Sequence, residues 1–445
     1  MAVHYNRDAF IPYSRQEIVE LCLADGGIAI AEQQNFRDFC HILMVYYHFK
    51  LHSSLESLKS CFVPFDPDSC DPVDKNRESQ KIEQQEQKFI TIFESILRQA
   101  NYHPISKLEL TKALQEDSVF DLKTEVDFSD FERMICYCRG DSAEKITVKK
   151  LLFKKAKKQI DIYQRVVLLI KFKSARHFQD KPVPQEELNF KPGKIYLYLY
   201  KNLSKLDIEF IFPNIKMSMN WKDRLLFGVP AIGAAIPLFL RLLPQIVLVI
   251  GVIVYLALGY QPIDQLEVAE EEVRNVMPLL IAALSLIVTL GGFAFKQFTN
   301  YKNKQIKFQK NVTETLFYRN LANNSGVFQY LIDAAEEEEC KEIILVYYHL
   351  LTSPIPLTAS QLDDRIASWM SDHFGTVIDF DIKKTLANLA AIKTAQKHRM
   401  AGEYSVKQKA LLKRDRHNRY RVLPLKEAKS LIDDVWDRIF DYSTL

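Results

Sequence analysis

The fold is decided by two uncharged apolar runs, LLPQIVLVIGVIVYLALGY at 242–260 and MPLLIAALSLIVTLGGFAF at 277–295. Each run has 19 residues, close to the ~20 that an α-helix needs to cross ~30 Å of hydrocarbon. Twelve residues of the first run are Leu, Ile or Val, which favour insertion into a bilayer. The sequence therefore predicts a membrane protein with transmembrane helices at 242–260 and 277–295.

The residues around these runs predict how the hairpin is oriented. Lysine and arginine residues flank both outer ends of the pair, whereas the connecting segment 261–276 carries five acidic residues and one arginine. Because basic flanks stay on the cytoplasmic side, we expect an acidic external loop and two cytoplasmic termini. A shorter apolar segment at 225–241, interrupted by Pro230 and Pro237, is predicted to be re-entrant or interfacial, with a third crossing as the alternative.

The remaining sequence predicts an α+β membrane protein with a folded region on each side of the hairpin. Residues 1–220 combine helical periodicity with later strand-like alternation, which indicates an N-terminal cytoplasmic α+β domain. Residues 296–330 form a basic linker, and 331–445 are predicted to be a C-terminal winged-helix-like cytoplasmic domain. Three helices are expected, at 334–351, 359–370 and 381–394. A two-stranded wing is expected to follow them, at 403–412 and 419–425. The Glu336–Glu339 run is expected on a solvated helix face.

The N-terminal residues and the cysteines help to predict the cellular compartment of the protein. The opening residues MAVHYNRDAF contain no apolar segment typical of a signal peptide, and they are not rich in Arg and Ser. The seven cysteines are an odd number without a CxxC motif, which favours reduced thiols. We expect an integral membrane protein of a bacterial plasma or thylakoid membrane.

Two groups of basic residues are candidate contacts for a lipid surface. They lie in separate predicted hairpins and comprise Lys149, Lys150, Lys154, Lys155, Lys157 and Lys158 in the first, and Lys413, Arg414 and Arg416 in the second. A solvated hairpin tip is the alternative for the first group. The second group can also bind an acidic protein, and nucleic acid is the partner least expected.

The sequence contains no motif that names a reaction, and it predicts neither a cofactor nor a metal site. It lacks the phosphate-binding GxxxxGK[ST] loop, the GxGxxG fingerprint and the GxSxG nucleophile motif. His48 and His52 are one helical turn apart and are the residues that would hold a metal ion, but ordinary helix histidines are the simpler interpretation. Asp207 and Glu209 are the candidate catalytic carboxylates, although a structural role for this pair is more common.

Five stretches of the chain resemble one protein family. They are RDAFIPYSRQEI, FVPFDPD, LYLYKNLSKLDIEFIFP, LANNSGVFQYLIDAAEEEECKE and YRVLPLKEAKSLIDDVWDRIFDY. This sequence is similar to the transmembrane protein 143-like family of cyanobacteria, plant organelles and mitochondria. The resemblance implies paired membrane helices, and it implies no catalytic residues.

These observations favour a membrane-anchored interaction, scaffold or assembly protein over an enzyme. The expected partners are the lipid bilayer and either other proteins or further copies of the chain. One alternative is a membrane-bound enzyme whose site lies between the soluble domains. The other alternative is an oligomeric channel built from the hairpins.

Overall fold

A computed structural model gives the fold of most of the chain outside residues 219–287. The described residues are 7–8, 11, 13–69, 79–106, 110, 123–150, 154–179, 188, 190–218, scattered positions from 288 to 313, 316–375, 377–378, 381–400 and 403–438. Side chains are described for most of these residues, but not for 7–8, 123–125, 141–160, 206–207, 209, 216–218, 374, 377, 395–400 or 403–408.

The described α-helices range from 5 to 33 residues. They are α1 (Arg15–Ala24), α2 (Ile30–Phe62), α3 (Ser79–Gln99), α4 (Ala175–Gln179), α5 (Gly326–Leu351), α6 (Ala359–Phe374), α7 (Ile382–Ala391) and α8 (Leu425–Asp437).

The described strands include two that are about 20 residues long. They are β1 (Arg7–Asp8), β2 (His103–Pro104), β3 (Lys123–Val126), β4 (Phe131–Lys150), β5 (Lys154–Phe172), β6 (Ile195–Ser204), β7 (Ile215–Ser218), β8 (Asn320–Asn323), β9 (Leu357–Thr358), β10 (Val377–Ile378), β11 (Lys393–Met400), β12 (Glu403–Ala410), β13 (Leu412–Arg414) and β14 (Arg419–Val422).

The chain divides into two compact units. The first unit comprises residues 1–113, 127–208 and 319–445, so it draws on both ends of the chain. The second comprises 114–126 and 209–318, and within it β3 pairs with β7 in antiparallel fashion. The sequence predicts separate domains before and after the apolar runs, but the described residues of both ends share one unit.

The main sheet of the first unit is antiparallel, with strand order β2-β4-β5-β6-β8. Alternate residues of β6, namely Ile195, Leu197 and Leu199, are buried because one face of the sheet packs against helices. The shortest segments lie at the two edges, where β2 covers part of β4 and β8 covers part of β6.

Two apolar clusters form the core of this unit, and both contain residues from α2 and α5. One cluster joins α1 and the first half of α2 to the second half of α5 and to the C-terminal helices. The other joins the second half of α2, α3 and the sheet to the first half of α5. Helices α2 and α5 therefore connect the two clusters along their lengths.

Several local predictions agree with the structure. The helical periodicity of residues 15–24 predicts a helix there, and α1 spans the same residues; its first turn is closed by a capping box between Ser14 and Glu17. Helix α6 begins at Ala359 as predicted, with Thr358 and Gln361 in the same arrangement. The six described cysteines are free, and five of them are buried.

The predicted C-terminal wing is wrong in its strand pairing. Residues 403–410 pair with 393–400, whereas 419–422 pair with 412–414 and with 357–358. The third helix ends at Ala391 because residues 393–400 form β11. Strands β11 and β12 make a sheet of only two strands, and such a ribbon does not require the apolar alternation by which strands are recognised.

The membrane prediction is also contradicted. Among the residues that the structure describes, no helix combines the length and the apolar character needed to cross a membrane. This finding overturns the integral-membrane fold class, the transmembrane helices and the plasma- or thylakoid-membrane localisation. The segments 225–241 and 242–260, the loop 261–276 and all but four positions of 277–295 lie outside the described residues. The prediction was based on the length and apolar composition of the two runs.

Hydrogen bonds of the Asn324 side chain connect the main sheet to the loop that follows α2. Its backbone adopts a positive φ of 48°, and its side chain is buried. The Asn324 Nδ2 donates to Asp68 Oδ2 at 2.7 Å, and the backbone N–H of Leu197 donates to Asn324 Oδ1 at 3.2 Å. Two of the quoted stretches, FVPFDPD and LANNSG, therefore meet at this residue.

We predict that Asn324→Ala lowers the free energy of unfolding by about 2–3 kcal/mol, because buried hydrogen-bonding groups lose their partner and alanine disfavours positive φ. Asn324→Gly should cost less, since glycine adopts this φ freely. Urea denaturation measures both variants. Asn418→Ala is the control, because Asn418 also has positive φ but lies in an exposed turn. Equal stability of Asn324→Ala and the wild type would contradict this role.

Candidate functional site

The most unusual feature of the described core is a charged segment inside α5, which we call the acidic joint and define as Glu336–Glu342. Glu338 and Glu339 are each 1% exposed, Glu342 is 2% exposed and Lys341 is 3% exposed. Apolar residues precede and follow the joint in the same helix, and they belong to the two different core clusters. The predicted solvated face is therefore wrong, because the joint lies where these clusters meet.

Side chains of the acidic joint form hydrogen bonds with the backbone of the N-terminal segment. The Ile11 N–H donates to Glu338 Oε2 at 3.2 Å, and Lys341 Nζ donates to the Ile11 carbonyl at 2.7 Å. Lys341 Nζ also lies 3.1 Å from Glu338 Oε1. Four residues further along, the Arg15 N–H donates to Glu337 Oε1 at 3.0 Å. Two oppositely charged side chains therefore satisfy both backbone polar groups of Ile11.

The opposite side of the joint contacts α7 and the end of α3. Glu342 accepts hydrogen bonds from Asn101 Nδ2 at 2.9 Å and from Thr385 Oγ1 at 2.9 Å, with Lys384 Nζ 3.6 Å away. Glu339 accepts one from Asn388 Nδ2 at 3.2 Å. Burial is the main cause that raises the pKa of both carboxyl groups, and the Lys384 charge opposes it.

An open cleft of about 390 Å³ borders the joint at the surface. It is lined by residues of α1, α2 and α5, which are Ser14, Arg15, Gln16, His41, Met44, Val45, His48, Glu336 and Glu337. Arg15 Nη1 lies 2.6 Å from Glu336 Oε1, and Arg15 Nε lies 2.6 Å from Glu337 Oε2. The Arg15 guanidinium therefore forms ion pairs with two carboxylates, each through a different nitrogen atom.

The cleft also contains a histidine–carboxylate pair. His48 Nδ1 lies 2.8 Å from Glu336 Oε2, while the His48 side chain is 67% exposed. A carboxylate in this position orients the imidazole and holds the hydrogen on Nδ1. The pair therefore presents Nε2 to solvent, where it can act as a base or a ligand.

The predicted histidine candidates are partly brought together. The ring centroids of His48 and His52 are 6.3 Å apart, and the ring planes are inclined by 21°. His41, two turns earlier, lines the same cleft as His48. Within the described part of the chain, no group of three or more His, Cys, Asp or Glu residues is arranged to hold a metal ion.

The predicted catalytic carboxylates lie elsewhere. Asp207 and Glu209 belong to a short 3-10 helix, Lys205–Ile211, and their side chains lie outside the described residues. Their proposed catalytic role stays a prediction, and no described contact places them beside the cleft or the acidic joint.

The basic candidates lie in two strand pairs. Lys149 is opposite Lys155 and Lys150 is opposite Lys154 at the end of the β4–β5 pairing, where the backbone alone is described. Lys413, Arg414 and Arg416 are exposed at the β13–β14 connection. Arg414 also donates to Asn418 Oδ1 at 2.7 Å. The predicted lipid contact of both groups stays a prediction.

Sequence reasoning missed the acidic joint, although a signal was present. The segment EEEECKE lies between YLIDAA and IILVYYHLL without a glycine or proline to end the helix. A helix that is apolar on both sides of a charged run is predicted to be buried throughout, provided that other elements supply partners for the charges. Those partners, Ile11, Asn101 and Lys384, are distant in sequence and could not be identified from the run itself.

Comparison with known proteins adds a family model but no function. Residues 163–326, less than half of the chain, match the model described as a protein of unknown function (DUF3754). The matched residues include β6 and Asn324, and they exclude His48, His52 and the acidic joint. No solved structure matches the chain. The resemblance to the transmembrane protein 143-like family stays a prediction.

Removing Lys341 should destabilise the protein, because the buried Glu338 carboxylate would lose its nearer cation and keep only Arg139 Nη1, 3.9 Å away, among the described cations. We expect Lys341→Met to lower the free energy of unfolding by about 3 kcal/mol, as measured by urea denaturation. Lys59→Met is the control, since Lys59 pairs with Glu56 on the surface of α2 and should cost less than about 1 kcal/mol. Equal costs for the two variants would show that the joint is not a buried, charge-paired element.

His349, near the end of α5, should make stability depend on pH. Burial, followed by the nearby Arg365 charge, lowers its pKa from 6.5 to about 4, with smaller effects from Asp25 and His373. Arg365 Nε donates to His349 Nδ1 at 3.3 Å, which fits a neutral imidazole. As the pH falls from about 6.5 towards 4, the unfolded chain binds a proton that the folded chain does not bind. Folding stability should therefore fall by about 3 kcal/mol over this range.

The measurement is urea denaturation between pH 4 and 7 of the wild type and His349→Gln. The difference in stability between the two proteins should change with pH, because glutamine removes the titrating group while retaining polar atoms. His41→Gln is the control, since His41 is exposed and is not among the groups that shift the pKa of His349. A parallel pH dependence for the wild type and His349→Gln would contradict the assignment to His349.

Proposed function

We propose that this chain is a non-enzymatic interaction protein that assembles with a protein partner through the outer part of the β4–β5 hairpin. We call this part the outer ribbon and define it as residues 141–150 and 154–161. The observation that carries the proposal is the length of the hairpin beyond its own sheet. A membrane anchor is no part of the proposal, and the channel alternative is dropped with it.

The outer ribbon continues far past the neighbouring strands. Among the described residues, β6 pairs with β5 between Ile162 and Lys171, β2 pairs with β4 at Tyr137 and Cys138, and no other strand pairs with the outer ribbon. Strands β4 and β5 nevertheless stay paired with each other as far as Lys150 and Lys154. At ~3.4 Å per residue, the outer ribbon is about 30 Å long. A ribbon of two strands is only marginally stable alone, so a bound partner would stabilise it.

The register gives the outer ribbon two different faces. Directly opposed residues of an antiparallel pair share a face, and successive residues alternate between faces. One face therefore holds positions 145, 149, 155 and 157, which are all lysine. The other face holds an apolar group and three further lysines, which are Ile146, Val148, Ala156 and Ile160 with Lys150, Lys154 and Lys158.

Repulsion on the ribbon favours an acidic partner. Seven lysines and no acidic residue occur between 145 and 158, whereas the acidic residues Asp141, Glu144 and Asp161 lie at the inner end of the outer ribbon; Lys149 lies directly opposite Lys155. Like charges in opposed positions destabilise a strand pair, and carboxylates from a partner would offset that repulsion.

The apolar face favours a protein over nucleic acid. Protein interfaces typically combine an apolar centre with a polar rim, which matches Ile146, Val148 and Ile160 beside lysines. A phosphate backbone would neutralise the lysines but would leave these apolar positions exposed. The partner that fits is a protein surface with an apolar patch bordered by Asp or Glu.

The enzyme alternative has less support. It depends on Asp207 and Glu209, for which the described residues supply no third catalytic group. The described cleft beside His48 is open and carries a matched ion-pair network, so its residues already have structural partners. We therefore rank interaction above catalysis.

The proposal is tested by cross-linking the tagged full-length chain in the cells that produce it and purifying the complexes. The test variant replaces Lys145, Lys149, Lys155 and Lys157 with glutamine. The matched control replaces four exposed lysines elsewhere with glutamine, at Lys50, Lys88, Lys201 and Lys383, so both variants lose the same charge. We expect a stoichiometric protein partner, cross-linked at the outer ribbon, that is lost only from the test variant. Equal recovery with both variants, or no stoichiometric partner of the wild type, would contradict the proposal.

A second measurement separates the possible kinds of partner. Fluorescence anisotropy compares a 12-residue peptide of alternating Glu and Val with one of alternating Glu and Ser and with a 16-base-pair DNA duplex. We expect the Glu–Val peptide to bind at least tenfold more tightly than the other two probes, since only it offers both carboxylates and apolar side chains. Tighter binding of the duplex would identify nucleic acid as the partner class and overturn the protein assignment.

A further inference from the structure

We propose that His48 and His52 together bind one divalent transition-metal ion on the exposed face of α2. The two residues are four apart in a continuous 33-residue helix, so both lie on the same face, one turn from each other. Their ring centroids are 6.3 Å apart and their planes are nearly parallel. This inference is independent of the outer ribbon and of its partner.

A carboxylate orients the His48 ring, as carboxylates commonly orient the rings of metal-binding histidines. Its Nδ1 lies 2.8 Å from Glu336 Oε2, and Glu336 is itself fixed by Arg15 Nη1 at 2.6 Å. Because the carboxylate accepts the Nδ1 hydrogen, the lone pair of Nε2 is free on an imidazole that is 67% exposed. Histidines that bind metals are oriented by this kind of carboxylate contact, which also makes the ligand nitrogen more basic.

His52 is free to complete the pair. It is exposed, and among the described residues it has no hydrogen bond to hold it in another orientation. Histidine nitrogens bind zinc at ~2.0–2.1 Å, so the two ligand nitrogens must come within ~4.2 Å of each other. Rotation of the His52 ring about its side-chain bonds is the only movement that this approach requires, because the helix fixes both backbones.

The chemistry of the pair selects the class of metal. Neutral imidazole suits Zn²⁺, Ni²⁺ and Cu²⁺, whereas Ca²⁺ and Mg²⁺ prefer oxygen ligands. Glu56 lies one further turn along α2 and pairs with Lys59 Nζ at 2.9 Å, so it is at most an exchangeable third ligand. Water therefore fills the remaining positions, and the site should bind Cu²⁺ more tightly than Ni²⁺.

The test is isothermal titration of the purified full-length chain with NiCl₂ and, separately, with ZnCl₂. The variants are His48→Ala and His52→Ala, and His41→Ala is the matched control because it removes an exposed histidine from the same helix. We expect one ion per chain, at least tenfold weaker binding in both test variants, and wild-type binding in the control. Wild-type affinity in His52→Ala, or a wild-type Kd weaker than about 1 mM for both metals, would overturn the site.

Glu336→Gln tests the positioning role of the carboxylate. Loss of such an orienting contact typically weakens metal binding by about 10- to 100-fold, and we expect Glu336→Asp to recover part of that loss. A urea denaturation curve establishes that each variant is folded before titration. Unchanged metal affinity in folded Glu336→Gln would show that Glu336 does not position His48 for the metal. If that variant does not fold, His52→Ala still decides the proposal, because His52 is exposed and its described contacts are limited to the His48 ring and the charge of Glu56.

Discussion

The ion pair between Glu338 and Lys341 is the contact on which much of the described fold depends. Both side chains are almost completely buried, and both hold the backbone of Ile11. Burying two charges carries a desolvation free energy, and the hydrogen bonds to the peptide groups of Ile11 offset it. The pair therefore fixes where the N-terminal segment crosses α5, and with it the position at which α1 begins.

The same segment explains how one helix serves two apolar clusters. Residues of α5 before the acidic joint pack against the sheet, and residues after it pack against the C-terminal helices. A polar joint between them limits how α5 can shift along its axis, because each buried carboxylate has a specific donor. Asn324 adds a second fixed point just before α5, where it joins the sheet to the loop containing Asp68. These contacts give the outer ribbon a rigid base in β4, β5 and β6.

Local features of the fold were predictable from sequence, and features that depend on distant partners were not. The start of α6 follows from the capping residue Thr358, and α1 follows from helical periodicity. The acidic run of α5 was placed in solvent, because nothing within it reveals that Ile11 and Thr385 supply partners. The first two residues of strand β11 were assigned to the end of a helix and the others to no element, because KTAQKHRM contains no alternation between apolar and polar residues. For the candidate site, the one-turn spacing of His48 and His52 was visible, but the carboxylate that orients His48 lies 288 residues away.

Hydrogen–deuterium exchange of the full-length chain, read by mass spectrometry, tests most directly whether the acidic joint is buried and holds the N-terminal segment. The structure predicts that the amides of 336–345 exchange among the slowest in the described chain. It also predicts that Lys341→Met speeds exchange in residues 13–24 while leaving β6 unchanged. Rapid exchange of 336–345 in the wild type, or no change at 13–24 in the variant, would contradict the central role of the acidic joint.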